Sequence, residues 1–324
     1  MDFYSAPRGW FPWKPAADGN FHWIYLGNKK FDEPFFEETI HRRLSLEENS
    51  SFRENRSSAA SLVSASQNVN AAEPAAFIFH VSRCGSTLLS QLLSEDPANI
   101  VLPEVPLFDD LLLRMHEKKN FGDISAEQLL TASIKLMCAK KNPEENSAFI
   151  KLDSWHIFHY AVLRKLYPRT PFVFLYRHPA EVIRSHARQA GMQMIPGLLP
   201  SSLTGIELTE EMLTNHRFYA GKMLERFFEC FLRAKETDGN FFSADYADGI
   251  ENAAFHLLRQ CGAEPAAGLK ERFTSRLLFH SKRPGEKFAA ESSETGIDGF
   301  SERAAGLYEK VRATRDIYQR PLFS

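Results

Sequence analysis

The residues best suited to chemistry lie in Phe77–Leu93, F-I-F-H-V-S-R-C-G-S-T-L-L-S-Q-L-L. Phe77 to Val81 is a short apolar run, Ser82 to Gly85 is a small polar turn with one cation, Arg83, and from Ser86 apolar residues recur at helical spacing. A strand, a tight turn and a helix start present backbone N–H groups that lack intrahelical partners, and the helix dipole adds positive potential. Ser82, Arg83, Cys84, Gly85, Ser86 and Thr87 are therefore candidate ligands of a phosphate or sulfate group. A second candidate is Y-R-H-P-A-E-V-I-R-S, Tyr176–Ser185. Arg177 closes an apolar run, Pro179 suits a first helical position, and Ser185 lies about two turns further on, so Arg and Ser can grip one phosphate from two elements.

Against the phosphate-loop spacing G-x-x-x-x-G-K-[ST], the first stretch is a partial match. Gly85 and Thr87 fall on the second Gly and the Ser/Thr, whereas His80 stands at the first Gly and Ser86 at the Lys. A nucleotide kinase needs that Lys on its β- and γ-phosphates. A P-loop nucleotide kinase and a non-catalytic nucleotide-binding protein are the alternatives the two stretches leave open. With Arg83 two residues ahead of Gly85, the loop resembles that of the sulfotransferase superfamily. The second stretch resembles the same family's R-[DN]-P-x-[DE]-x-x-x-S pattern: Arg177, Pro179, Glu181 and Ser185 match, and His178 departs from the usual Asp or Asn. An Arg–Glu surface pair beside an ordinary helix is the other reading of that stretch, and the two motifs in family order carry the case together.

The resemblance covers about Phe77–Cys261. It implies 3′-phosphoadenosine 5′-phosphosulfate as donor and adenosine 3′,5′-bisphosphate as product. Loop N–H groups, Arg83, Ser86 and Thr87 would hold the 5′-phosphosulfate, and Arg177 with Ser185 the 3′-phosphate. The acceptor would be a small molecule with a hydroxyl or amine. Glu104, in V-L-P-E-V-P-L-F-D-D, falls where heparan-type members carry a catalytic Glu. In I-K-L-D-S-W-H, Lys151 matches the Lys that cytosolic members set on the bridging oxygen, and Asp153 replaces their His. Leu102 and Val105 flank Glu104 and would desolvate it, which suits a general base. Side chains two apart on an extended segment point the same way, so Lys151 is expected beside Asp153, which then orients Lys151 or the acceptor. His156 is expected to be a satisfied or exposed helix residue. S-K-R-P-G-E-K-F, Ser281–Phe288 with Arg283, is either the late loop that closes over the donor or a surface turn. No metal is expected, because a sulfuryl group carries less negative charge than a phosphoryl group and fixed donors can replace Mg²⁺.

These residues need a scaffold, and the rest of the chain reads as one. Its 324 residues, 44% hydrophobic, allow one large or two small packed domains. A formal net charge of −2 points away from nucleic acid and anionic membrane. Cys84, Cys138, Cys230 and Cys261 form no C-x-x-C pair, which suggests reduced thiols and a cytoplasmic location. Neither a leader-like start nor a long uninterrupted apolar segment is visible, so no membrane association is expected. Apolar strands in A-F-I-K-L, P-F-V-F-L-Y-R and F-F-S-A-D-Y alternate with helices, which predicts an α/β, P-loop-like three-layer sandwich with a central parallel sheet and ligands at the strand ends. Residues 1–44 read as an aromatic amino-terminal cap, 45–75 as a linker or poorly ordered segment, and 76–324 as the sulfotransferase-like α/β domain. Leu208 to about Lys235 is expected as one long helix with an apolar core stripe.

Overall fold

The structure is a computed structural model that describes residues 8–31, 33–50, 55–263, 266–279, 281 and 302–314. Its strands are β1 (Trp10–Pro15), β2 (Phe21–Tyr25), β3 (Arg56–Ser57), β4 (Glu73–His80), β5 (Asn99–Pro103), β6 (Ser147–Lys151), β7 (Phe172–Tyr176) and β8 (Phe241–Asp245). The first three form an antiparallel sheet in the order β1-β2-β3, and the others a five-stranded sheet in the order β5-β6-β4-β7-β8. The paired strands β4 and β7, β5 and β6, and β7 and β8 run parallel. With helices flanking that sheet, the architecture is the expected α/β, P-loop-like one. Its strands are apolar runs because both faces of a parallel sheet are covered. β5 ends in Pro103, which an edge strand tolerates because the missing N–H faces no neighbour.

By contact density the chain divides into two compact units, neither contiguous. The first comprises Met1–Ala75, Ser90–Lys151 and Pro265–Arg276. Its aromatic residues form a core: Phe11 meets Phe31 at 5.5 Å, Phe31 meets Phe36 at 5.1 Å, and Phe21 meets Phe121 at 4.9 Å. Lys141 lays its ammonium over the Phe31 ring at 3.1 Å and donates to the Lys29 carbonyl at 2.6 Å. Residues 45–75, expected as a linker, carry β3 and a helix, Ala59–Gln67. Ser58 caps that helix by accepting the Ser61 N–H at 3.1 Å, and Ala59, Leu62 and Ala65 are buried. Small residues lower the apolar signal of the segment while still letting it pack closely.

The second unit comprises Ala76–Leu89, Leu152–Glu264 and Leu277–Ser324. The helix expected over 208–235 is interrupted: Glu210–Thr214 ends at Asn215, whose side chain accepts the Phe218 N–H at 3.2 Å and caps His216–Lys235. Phe227, Phe228 and Phe231 of the longer helix are buried, and Phe231 stacks on Phe174 of β7 at 4.8 Å. Helix Glu302–Ala313 packs against it, burying Ala304, Tyr308 and Val311. No described helix is long and apolar enough to cross a membrane.

Candidate active site

Strand β4 delivers the chain into a turn whose backbone is left-handed at Ser82 (φ 65°), Arg83 (φ 50°) and Gly85 (φ 84°). Outside glycine this conformation costs about 1–3 kcal/mol per residue and persists where surrounding contacts enforce it. Here they do. The Ser82 N–H donates to His80 Nδ1 at 3.0 Å, the Val81 N–H to the Leu175 carbonyl at 3.1 Å, and the Cys84 thiol to the same carbonyl at 3.4 Å. Cys84 therefore turns its side chain to β7, leaving only its backbone for a ligand. Helix Ser86–Ser94 follows, with Ser86 and Thr87 buried in its first turn. A methyl group on Gly85 would sit 2.7 Å from Ile250 Cδ1 and 2.9 Å from Tyr246 Cδ2, so both positive φ and close approach require glycine there.

Arg177 follows β7 and reaches this turn: its Nη1 donates to the Arg83 carbonyl at 3.3 Å. Its Nε and Nη2 bind Glu181 at 3.1 and 3.3 Å, so the Arg–Glu pair is present, and the same guanidinium also meets the loop. Its face lies over the Tyr246 ring at 4.4 Å. Arg83 in turn donates to the Gln189 carbonyl at 2.7 Å, just past the end of helix Pro179–Arg188. Ser185 lies one turn beyond Glu181 on the same face of that helix, partly exposed. The turn, the β7 end and this helix thus make one basic corner within the second unit. Tyr246 and Gln189 were not singled out from sequence. Tyr246 had a usable signal in its place at the end of F-F-S-A-D-Y, whereas a backbone carbonyl such as that of Gln189 leaves none.

In the first unit, β5 and β6 pair with Pro103 opposite Lys151, which sets Glu104 just past the register. Glu104 is left-handed (φ 56°), and its N–H donates to the Lys151 carbonyl at 2.9 Å. Its Oε1 lies 2.7 Å from Lys151 Nζ in an ion pair whose side chains are 20% and 0% exposed, respectively. The ring of Phe35 lies 5.2 Å from the same ammonium.

The carboxylate that meets Lys151 is therefore Glu104, where sequence spacing had set Asp153. The extended alternation ends with β6, and the chain turns into a 3₁₀ segment, Ser154–His159. Asp153 accepts the Ser154 hydroxyl at 3.1 Å, and its N–H donates to Nδ1 of buried His156 at 3.3 Å. Arg283 lies outside the described residues.

The fold and the strand–turn–helix corner define a P-loop-like α/β protein with a left-handed turn between strand and helix. Residues 74–220 match the model of the Sulfotransferase family, and they contain both basic motifs, Glu104, Lys151 and Asp153. Over this segment, somewhat under half of the chain, the sequence is similar to the sulfotransferase family. Among solved structures it is similar to the sulfotransferase STF9 from Mycobacterium avium, at 16% identity over 78% of this chain and 79% of that one, with a TM-score of 0.49. It is similar also to the sulfotransferase domain of the Synechococcus PCC 7002 olefin synthase, at 14% identity over 78% and 98% of the two chains, TM-score 0.48. A third is the sulfotransferase STF1 from Mycobacterium tuberculosis H37Rv, at 16% identity over 65% and 73%, TM-score 0.42. None of the curated proteins compared with the chain matches it.

Proposed function

We propose that the chain moves a sulfuryl group from 3′-phosphoadenosine 5′-phosphosulfate to the hydroxyl or amine of a small molecule. The observation that carries this reading is the reach of Arg177 to the Arg83 carbonyl, which joins two cationic side chains, a left-handed turn and a helix start in one corner. Such a donor set fits a ligand with two separate anionic groups. Amides of Ser82, Arg83, Cys84 and Gly85, with Ser86, Thr87 and the Arg83 side chain, would bind the 5′-phosphosulfate. Arg177 and Ser185 would bind the 3′-phosphate, and Arg283 is assigned to the donor with them.

The donor supplies sulfur bonded to a phosphate leaving group, and the chain supplies orientation and charge. As the acceptor atom bonds to sulfur and the sulfur–oxygen bond to the 5′-phosphate breaks, Glu104 takes the acceptor proton and the electron pair leaves with adenosine 3′,5′-bisphosphate. Lys151 offsets charge at the bridging oxygen, Arg83 at the transferred group, and Asp153 orients the acceptor. Fixed donors rather than a metal ion do this work, and the four thiols suit a cytoplasmic setting.

Calorimetry with adenosine 3′,5′-bisphosphate tests the reading. Wild-type protein should bind it, and Arg177→Ala should bind about 10- to 100-fold more weakly, the worth of hydrogen bonds to a charged group. Absent binding, or equal binding by the variant, would falsify the donor assignment. Labelled donor incubated with a panel of hydroxyl and amine compounds then identifies the acceptor.

A further inference from the structure

Helix Glu302–Ala313 meets the Arg177 corner through a side chain outside both sequence motifs. Tyr308 is 4% exposed, and its hydroxyl donates at 2.7 Å to Oδ2 of Asp245, itself 1% exposed at the end of β8. Asp245 also accepts the Ala247 N–H at 3.0 Å, and Arg312 Nε lies 3.6 Å from the carboxylate. The Tyr308 ring meets His178 edge-on at 5.1 Å and Tyr176 at 5.5 Å. An ion pair between Arg303 and Glu229 at 2.6 Å ties the same helix to His216–Lys235.

His178 lies between Arg177 and the helix that carries Glu181. Its carbonyl accepts the Glu181 and Val182 amides at 3.0 and 3.2 Å, which opens helix Pro179–Arg188. At this N-cap position Asp, Asn, Ser or Thr would also accept an amide through its side chain, and His178 makes no such bond. The turn therefore lacks the usual local brace, and the Tyr308 ring packs where a brace is needed.

We infer that Tyr308 is a positioning residue: hydrogen-bonded to Asp245, it holds the His178 turn and, through it, the Arg177–Glu181 pair. Burial, and after it the bond to Asp245, push the Tyr308 phenol well above its ordinary range, so it stays a donor at physiological pH. The consequence for ligand binding rests on the donor reading above. The consequence for the turn does not.

Tyr308→Phe removes the hydroxyl and keeps the ring. In ligand-free protein the Glu181 and Val182 amides should exchange about tenfold faster, while Leu89 in helix Ser86–Ser94 keeps its rate. Adding His178→Asp should restore protection by supplying a local cap, a rescue that a merely structural Tyr308 would not show. Asp245→Asn, with a weaker acceptor, should fall between wild type and Tyr308→Phe. Unchanged exchange at Glu181 and Val182, or equal acceleration of every amide, overturns the inference. Tyr308→Phe should also bind adenosine 3′,5′-bisphosphate about tenfold more weakly while retaining adenosine 5′-monophosphate, because only the first engages Arg177. Equal loss for both ligands overturns the link to Arg177. Should wild type bind neither nucleotide, the donor reading fails and the exchange rates still decide the role of Tyr308.

Discussion

Lys151 carries its ammonium into a fully buried position, where Glu104 supplies the counter-charge at 2.7 Å. Protonating Glu104 strips Lys151 of that counter-charge, so the proposed base and the proposed charge stabiliser act as a pair. Glu104→Gln should lower turnover by about two to four orders of magnitude with bisphosphate affinity retained. It should also destabilise the fold by about 3 kcal/mol, the low end for breaking a buried pair because Glu104 keeps some solvent contact. Adding Lys151→Met should then raise the melting temperature again without restoring turnover. A double variant no more stable than the single one would count against the pairing. Asp153→Asn, at a carboxylate that accepts the Ser154 hydroxyl, should lose less activity than Glu104→Gln, and the reverse ranking would move the base to Asp153. The candidacy of Glu104 and Lys151 was legible in V-L-P-E and I-K-L-D, but their pairing was not. It depends on Pro103 standing opposite Lys151, a register that two separate strands set only when they meet.

The strand–turn–helix element was the most legible, because its three parts carry three different signals: an apolar run, a glycine turn and a helical period. β7 and β8 were legible for the same reason, being buried on both faces. β1 was harder to read, since Pro12 and Pro15 argue against a strand, yet its register shifts between Pro12 and Lys14 and the pairing survives. The break at Asn215 was hidden inside a continuous apolar stripe. The glycine of the turn after β4 can be tested by substitution. Ala at Gly85 would take a left-handed conformation and press its methyl group onto Ile250 and Tyr246. Gly85→Ala should destabilise the protein by about 2–4 kcal/mol, strain and overpacking together, and should abolish bisphosphate binding. Titration of the purified variant reads the second effect, and wild-type affinity there would remove the turn from the ligand site.

At the scale of the whole chain, each compact unit is assembled from segments separated in sequence, so neither can be cut out by shortening the chain from one end. A parallel sheet could be anticipated, but its order, β5-β6-β4-β7-β8, could not, because crossover helices allow several orders for the same strands. Helix Glu302–Ala313 spaces Ala304, Tyr308 and Val311 at helical intervals, and these are its buried residues. That pattern is readable, though what it packs against is not. Deleting residues 301–324 removes the burial of Tyr308 and Val311, about 1.5–3 kcal/mol each. It also bares Asp245, Tyr176 and Phe228, which Tyr308 covers. The truncated chain should therefore melt roughly 10 °C lower, at about 2–4 °C per kcal/mol. Bisphosphate affinity should fall at least as far as in Tyr308→Phe, since the brace on His178 is gone with the helix. Differential scanning calorimetry and titration of the truncated protein measure both, and an unshifted transition would mean that this helix contributes nothing to the unit it packs on.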